Sequence, residues 1–427
     1  MHYTLILPNK IARLGLFAGS AVIASFLVYA SLQLFIIRRL TDIRYPRPVP
    51  TLAQLGKVQR YLPNSSYLNL ELGKLELTDN PDPRQAIAHA TRTTELAPAD
   101  FQGWYLLGLA QDAAGNPRAA SAAFAEAVKL APTNSKVNWA AANTFLRSGQ
   151  LNEALTALRA ATTGDETMLP TAFELLWQAA GRNADLLNRL AANRPAAQFS
   201  LAQFFAEQSR FAEAVAAFQR LDRDIRLKDA RSPAFLNQLI NAKQFVAAHS
   251  LWLNLLGQPP TADSLLWNGS FELNTPTTFN QFDWRLGKTD YARLSLDGRQ
   301  AHAGKTALKI TFTGRDTTRV DGEIEQLLVL RPGAAYELSC YAKTTDLVTS
   351  LGPQAAIYSA GSLLAATEPV TPGSADWQRL TVTFTAPPAD AATSLRIVRR
   401  PKYAYDEPTL GTVWFDDFQL RCLGGCE

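Results

Sequence analysis

Residues that build most catalytic and metal centres are scarce in this chain. Its 427 residues include three Cys, two Met and four His, and the His residues lie far apart at positions 2, 89, 249 and 302. Such scattered residues lack the spacing that metal ligation requires. The sequence also has no phosphate loop, dinucleotide fingerprint or nucleophile elbow. We therefore predict a protein that is not an enzyme and has no cofactor, apart from a structural calcium ion considered below.

Outside the first 60 positions, basic residues do not outnumber acidic residues. Those positions hold eight Lys and Arg residues against Asp42 alone, whereas the rest of the chain holds 34 of the 42 basic and 37 of the 38 acidic residues. A nucleic-acid-binding protein would need a basic face on its folded body, so no nucleic-acid partner is expected. A chain of this length exceeds what one hydrophobic core supports, which predicts two or three domains.

Charge is absent from one long apolar run. Residues 14–37 include no charged side chain and are bounded by Arg13 and Arg38. A helix of this length can span a hydrocarbon core of about 30 Å, and a cleavable signal peptide usually has a shorter apolar region followed by a small-x-small site. We predict a single-pass membrane helix at 14–37 after a short tail at 1–13. A Pro-rich spacer at 38–65 is expected to follow.

A 34-residue register runs through the middle of the chain. In its clearest copy, residues suited to two packed antiparallel helices fall at relative positions 4, 7, 8, 20, 24, 27 and 32; they are Trp104, Leu107, Gly108, Ala120, Phe124, Ala127 and Pro132. Small residues let the helices touch, larger ones fill the space between them, and proline ends the second helix. The pattern resembles the tetratricopeptide repeat. That resemblance implies an α-solenoid of helix-turn-helix units at 66–256, which binds a partner and is not catalytic.

Neighbouring units keep the period, with one exception. Ala120 recurs as Ala154 after 34 residues, but the gap from Ala154 to Ala214 is 60 residues. We therefore predict a shortened unit at about 171–192, with Gly181 in the turn between its helices. The alternative is an unrelated all-α bundle, in which the 34-residue recurrences would have arisen by chance.

The resemblance also implies a concave groove lined by the first helix of each unit. Positions that face the groove in this family are occupied by Tyr105, Leu109, Trp139, Asn143 and Arg147. Asn143 and Arg147 are expected to hold a peptide carboxylate or backbone, with Trp139 as an apolar anchor. The alternative is that Trp139 packs between units.

Strand-like alternation replaces the helical period after a linker at 257–263. The segments with this alternation are separated by Gly, Pro and Asp turns. They are Thr306–Thr313, Ile324–Leu330, Ala335–Lys343, Arg379–Thr385, Ser394–Val398 and Thr412–Leu420. We predict an antiparallel β-sandwich at 264–421 and a short tail at 422–427.

Several motifs of this sandwich follow one another in a recognisable order. They are Asn268–Glu272, Trp284, Gly304–Ile310, Leu330–Tyr336, Trp377 and Val413–Asp417. The order resembles carbohydrate-binding modules of the galactose-binding-like jelly-roll type, which implies a surface where aromatic faces stack on sugars and polar groups bond their hydroxyls. Candidate residues are Tyr341, Tyr358, Tyr403, Tyr405 and Asp406. The alternative for each aromatic residue is a place in the core.

Modules of this type often hold a structural calcium ion, which needs several oxygen ligands. The resemblance makes Glu272, Asp416 and Asp417 the candidate ligands. The alternative is that Asp416 and Asp417 cap a strand or pair with an Arg residue. Regular strand alternation would place the two Asp side chains on opposite faces.

Two of the three Cys residues lie four positions apart at the carboxyl end. Cys422 and Cys426 flank Leu-Gly-Gly, a segment that lets the chain turn back. They either form a small disulfide in an oxidising compartment or remain free thiols in the terminal tail.

These features predict a multidomain α + β protein with a transmembrane helix, an α-solenoid and a jelly roll. We expect a non-catalytic scaffold of the bacterial inner membrane, whose repeats bind an unidentified protein and whose jelly roll contacts carbohydrate or other envelope components. Bacterial polysaccharide assembly or export is the expected setting. The positive-inside rule would place its body in the cytoplasm, whereas the jelly roll favours a periplasmic or extracytoplasmic location. We favour the extracytoplasmic location, and the orientation stays open. The alternative function is a surface carbohydrate-binding protein whose repeats act as a spacer.

Overall fold

The computed structural model describes residues 10–41, 51–78, 81–257, 265–388, 391–403 and 408–426. Its internal contacts divide the chain into two compact units, Met1–Ala191 and Ala192–Glu427. In the described residues, the first unit is helical, and the second contains helices followed by two β-sheets.

The first unit consists of helices joined by short turns. Their bounds are α1 Lys10–Thr41, α2 Leu52–Gln59, α3 Ser66–Thr78, α4 Pro83–Leu96, α5 Phe101–Ala113, α6 Pro117–Leu130, α7 Ser135–Arg147, α8 Leu151–Gly164, α9 Leu169–Ala179 and α10 Ala184–Ala191. Local chemistry explains where several of them begin. The side chains of Asp82, Asp100 and Asn134 accept backbone N–H groups at the starts of α4, α5 and α7, which satisfies donors that the helix leaves unpaired.

The first helix covers the segment for which a membrane span was predicted. Across the described parts of the chain, however, no helix combines the length and the apolarity that a bilayer crossing needs. The predicted transmembrane helix at 14–37 is therefore not supported.

Part of the predicted Pro-rich spacer at 38–65 is also helical. Leu55 of α2 is buried in one cluster with Leu62 and with Leu68 and Leu72 of α3. An isolated helix of eight residues is unstable, because ordering its backbone costs conformational entropy. The burial of these Leu side chains offsets that cost. The segment Leu52–Gln59 therefore belongs to the packed helices.

The 34-residue register fixes how the helices of one repeat meet. A Cβ atom added to Gly108 of α5 would lie 2.8 Å from the ring of Phe124 in α6, so only glycine allows this approach. The shortened unit is also present as a helix pair, α9 and α10, with Gly181 between them in the left-handed region at φ 60°. The predicted helical repeat region is confirmed.

The second unit begins with more helices. Their bounds are α11 Pro195–Glu207, α12 Phe211–Gln219, α13 Arg223–Lys228, α14 Arg231–Asn241 and α15 Phe245–Leu256. Two pairs of residues that recur 34 positions apart in α12 and α15 are fully buried; they are Ala214 with Ala248 and Phe218 with Trp252. The register therefore continues into this unit.

Two antiparallel sheets complete the second unit. Their strands are β1 Arg285–Leu286, β2 Ala292–Asp297, β3 Ala307–Thr313, β4 Val320–Leu328, β5 Ala335–Val348, β6 Gln354–Ser359, β7 Ser362–Ala366, β8 Gly373–Thr385, β9 Thr393–Arg399 and β10 Leu410–Gly424. We call the sheet with order β1-β4-β9-β6-β7 sheet A and that with order β2-β3-β10-β5-β8 sheet B. Apolar residues from both sheets form one core cluster. The predicted β-sandwich is confirmed.

Four of these strands were not predicted from the sequence. β1 has two residues, too few to show alternation. β6 and β7 form a hairpin whose two-residue turn, Ala360 and Gly361, has φ angles of 48° and 81°. Positive φ at both positions matches a type I′ turn, but Ala at the first of them gives no Asn-Gly or Asp-Gly signal.

Candidate functional site

The residues predicted for the repeat groove lie on one side of α5 and α7. Tyr105 and Leu109 of α5, and Trp139 and Asn143 of α7, are partly exposed. Arg147 Nη2 of α7 lies 2.6 Å from Asp112 Oδ2 of α5, so an ion pair joins the two helix faces. We call Tyr105, Leu109, Trp139, Asn143 and Arg147 the repeat groove.

Several groups in the repeat groove already have partners within the chain. The Nδ2 group of Asn143 donates to the Trp139 carbonyl oxygen, and Arg147 also donates to the Thr144 hydroxyl oxygen. The Tyr105 ring packs edge-on against Phe124 at 6.0 Å, and burial raises the pKa of Tyr105. Trp139 therefore offers the large apolar surface in this group. Asp112, three positions after Leu109, was missed by sequence reasoning although its helical spacing places it on the same face.

On the outer face of sheet B, Tyr341 is not an open aromatic platform. The His302 ring stacks on Tyr341, with centroids 3.5 Å apart and an interplanar angle of 12°. Trp377 meets His302 edge-on at 5.7 Å. One face of Tyr341 is therefore covered by the chain itself, and the partly exposed Trp377, which was not among the sugar-contacting candidates, belongs to the same aromatic group.

The predicted calcium ligands hold the loop before β3. Glu272 Oε1 accepts the backbone N–H groups of Lys305 and Thr306. Asp416 is fully buried, and its Oδ2 accepts the backbone N–H groups of His302 and Ala303. Burial is the largest influence on Asp416 and raises its pKa. The two acids thus bind the same loop.

Asp416 and Asp417 do not lie on opposite faces of β10 as regular alternation would require. The pairing of β10 with β5 shifts register between Asp416 and Gln419, and Asp417 has a positive φ of 49°. This bulge lets Asp417 Oδ2 approach His302 Nδ1 at 3.5 Å, beside the loop that Asp416 holds. Among the described residues, no group of three or more His, Cys, Asp and Glu side chains is arranged to hold a metal ion. Calcium binding stays a prediction.

The outer face of sheet A combines one tyrosine with four arginines. Tyr358 of β6 is buried against Ala356 and Val398, and the guanidinium carbons of Arg396 and Arg400 lie 4.6 Å and 5.4 Å from its ring centroid. We call this surface the arginine face; its charged members are Arg285, Arg319, Asp321, Glu325, Arg396 and Arg400. Burial raises the pKa of Tyr358.

The two acids of the arginine face each pair with two arginines. Glu325 contacts Arg285 at 2.6 Å and Arg396 at 3.4 Å, and Asp321 contacts Arg400 at 2.8 Å and Arg319 at 3.2 Å. Sequence reasoning identified only Tyr358 here, because the arginines come from separate segments that only the folded sheet brings together.

The remaining sugar-contacting candidates are not brought to this face by any described contact. Tyr403 is 63% exposed, and the Lys402 ammonium lies 5.4 Å from its ring centroid. Tyr405 and Asp406 lie outside the described residues.

Comparison with known proteins identifies the helical part of the chain. Residues 113–165 match one tetratricopeptide repeat family, and residues 75–135 and 183–227 match a second. This region of the chain contains tetratricopeptide repeats. No curated protein matches the sequence.

Several solved structures each cover about two fifths of this chain. The crystal structure of MamA is 18% identical and covers 40% of this chain and 83% of its own, with a TM-score of 0.28. A structure titled "CBM4 structure and function" is 21% identical over 37% of this chain and 99% of its own, with a TM-score of 0.28. The C-terminal family 22 carbohydrate binding module of Clostridium thermocellum Xyn10B is 19% identical over 39% and 98%, with a TM-score of 0.27. These likenesses carry no information about the ligand of this chain.

The tetratricopeptide register also contributes to a groove in the second unit. Trp252 of α15 donates its indole N–H to the Phe279 carbonyl oxygen at 2.7 Å, and its ring meets Trp267 and Phe282 at 4.7 Å and 5.5 Å. Beside this contact lies a groove of about 950 Å³ between α15 and the segments that precede and begin β5. His249 on its wall contacts the Phe282 ring at 4.9 Å, and burial lowers the pKa of His249 to about 4.

Cys422 and Cys426 are joined by a disulfide in the structure. Both pack against the core cluster of the sandwich, and Cys426 also lines the groove beside α15. Cys340 is a free, fully buried thiol whose pKa is raised by burial.

Proposed function

We propose that this protein is a non-catalytic adaptor. Its tetratricopeptide repeats bind a protein partner through the repeat groove, and its β-sandwich binds carbohydrate. The observation that carries the proposal is the presence in one chain of a repeat groove that exposes Trp139 and of a sandwich whose outer faces carry aromatic and charged side chains. Repeat arrays typically take extended peptides or partner helices on this surface.

A setting in bacterial polysaccharide assembly or export would use both activities. The Cys422–Cys426 disulfide supports an extracytoplasmic location, because disulfides persist in oxidising compartments. Neither activity requires a membrane anchor.

The protein-binding half is tested by selecting peptides from a displayed library on the full-length chain. Replacing both Trp139 and Arg147 with Ala should reduce capture of the selected peptides by roughly tenfold or more, since a large apolar anchor and a charged hydrogen-bond donor are lost. Arg159→Ala is the matched control, because Arg159 is an exposed arginine on α8, a helix that contributes no residue to the repeat groove. Equal capture by the double variant and the native chain would exclude the repeat groove as the binding surface.

The alternative function, a carbohydrate-binding protein whose repeats act as a spacer, is favoured by the aromatic and charged faces of the sandwich alone. The same selection separates the two functions. Peptide capture that depends on Trp139 and Arg147 supports the adaptor. Failure to select any peptide, combined with binding to a panel of immobilised polysaccharides, supports the spacer function, whereas no polysaccharide binding at millimolar sugar excludes the carbohydrate-binding half of both.

A further inference from the structure

The arginine face presents guanidinium groups outward and carboxylates inward. The Arg285 and Arg319 side chains are 67% and 63% exposed, whereas those of Glu325 and Asp321 are 19% and 11% exposed. Arg400 is about half exposed. A ligand that approaches this face therefore meets positive charge first, although each acid neutralises part of it from below.

Most hydrogen-bond donors of the outer arginines are not used within the described chain. A guanidinium group has five N–H donors. Arg285 donates to Glu325 through Nη2, and Arg319 donates to Asp321 through Nη2. No other bond from either side chain is made to the described residues, and both side chains are mostly exposed, so their remaining N–H groups can form the two parallel bonds by which Arg binds a carboxylate.

The arginine face also has an unused acceptor. Asp321 Oδ2 accepts from Arg319 and Arg400, but Asp321 Oδ1 is buried and has no donor among the described residues. A buried polar atom without a partner costs free energy that a ligand hydroxyl would recover. The exposed Arg319 contacts Asp321 through Oδ2 at 3.2 Å and makes no other bond to the protein in the described structure, so its side chain can move aside when a ligand hydroxyl approaches Asp321.

A ligand that satisfies both features must carry an anion and hydroxyl groups on one small framework. A uronic acid residue has a carboxylate and several hydroxyls on a single sugar ring. A neutral sugar would leave the outer guanidinium groups without an anion, and a simple anion would leave Asp321 Oδ1 without a donor. On these grounds we propose that the arginine face binds uronate-containing polysaccharide, an inference that rests on the proposed carbohydrate-binding function of the sandwich.

One carboxylate would bind Arg319 on the exposed side of the face, with sugar hydroxyls on Asp321. A further carboxylate along the polysaccharide would bind Arg285, which pairs with Glu325 further along β4. Tyr358 does not stack on the sugar, because Arg396 and Arg400 already lie over its ring. Its part is to support these two arginines from below.

The test measures binding of the full-length chain to an oligogalacturonate and to the same oligomer after its carboxyl groups have been reduced to primary alcohols. The native chain should bind the acidic oligomer at least roughly tenfold more tightly, as expected when a charge-assisted bidentate contact is lost. Added sodium chloride should weaken the acidic complex and leave the neutral one nearly unchanged.

A double variant, Arg285→Ala with Arg319→Ala, assigns the effect to this face. It leaves Glu325 paired with Arg396 and Asp321 paired with Arg400, so neither buried acid loses its last partner. The variant should remove the preference for the acidic oligomer and retain the native melting temperature within a few degrees. Arg293→Ala, an exposed arginine on β2 of sheet B, is the matched control and should bind as the native chain does.

The outcomes separate this inference from the proposed function. Equal affinity for the acidic and the reduced oligomer, or an acidic preference that persists in the double variant, overturns the uronate inference and leaves carbohydrate binding standing. Binding of other polysaccharides without any binding of the acidic oligomer also overturns it. Absence of binding to every polysaccharide overturns both. If the double variant does not fold, Arg285→Ala and Arg319→Ala are measured singly, and a native preference for the acidic oligomer in both single variants overturns the inference.

Discussion

The same register position has different partners in the two units. Phe124 in the first unit and Trp252 in the second both lie at relative position 24 of the 34-residue repeat and are both buried. Phe124 packs on Gly108 of the preceding helix, as a repeat residue should. Trp252 instead bonds the Phe279 carbonyl and packs against Trp267 and Phe282, which precede the first strand. The repeat register thus predicts that the residue at position 24 is buried, but it does not predict which residues pack against it.

This difference has an architectural consequence within the second unit. A repeat that ends an array usually has a polar outer face, because nothing stacks on it. Here α15 buries an aromatic side chain against the segment leading into the sandwich. The last repeat and the sandwich are therefore expected to be stable together.

Replacing Trp252 with Ala should have the largest effect, a loss of about 4 kcal/mol in the free energy of unfolding of the second unit, because a fully buried ring and its hydrogen bond are removed. Trp252→Phe keeps most of the ring and should cost about half as much. Hydrogen exchange measured by mass spectrometry should show faster exchange in both α15 and the sandwich. Faster exchange in α15 alone would contradict the expected joint stability.

Acidification should weaken the second unit through His249. The unfolded chain binds a proton on this residue near its ordinary pKa of 6.5, whereas the folded chain does so only near 4. The unfolded state therefore holds more protons between these values, and the stabilisation present above pH 6.5 is lost as the pH falls towards 4. The loss is about 3 kcal/mol. Denaturant titrations at several pH values should show this dependence, and His249→Phe should remove it. An equal pH dependence in that variant would contradict the assignment.

Gly108→Ala should have the smallest effect and tests the first unit. The added Cβ would press on the Phe124 ring, and the cost of overpacking exceeds the gain in helix propensity, for a net loss of about 1 kcal/mol. Gly56→Ala is the matched control: Gly56 lies in α2 with no atom within 4 Å of its added Cβ, so it should stabilise the chain slightly. Thermal melts of the two variants should shift in opposite directions. Shifts of the same sign would show that Phe124 gives way.

The helical repeats could be predicted because the residues that define them are close together in the sequence and recur at a fixed period. Gly108, Phe124 and Gly181 lie at positions where spacing alone predicts a contact or a turn, and the structure has α5, α6, α9 and α10 there. The strands with clear alternation were predictable for the same reason. The bounds of α2 were not, because its helical state depends on Leu55 packing against α3.

The candidate site was less predictable because it depends on contacts between distant segments. Alternation predicted the strand that carries Tyr341 but not β6, which carries Tyr358, and the groups that cover each ring come from distant segments of the chain. His302 lies on Tyr341, whereas Arg396 and Arg400 lie over Tyr358. Two tyrosines of equal promise in the sequence therefore have unlike surroundings.

Because of the bulge in β10, this strand contains one residue more than the packing of the core requires. Phe415, Phe418 and Leu420 all reach the core, although two residues separate the first pair and one residue separates the second. Removing Asp417 would leave these apolar residues in perfect alternation. The packing of the sandwich interior therefore does not require one residue of the Phe-Asp-Asp-Phe sequence. The extra residue places a second carboxylate on the side of the His302 loop. In this chain the Asp-Asp pair between Phe415 and Phe418 thus marks the position of the bulge, with Asp416 buried and Asp417 beside His302.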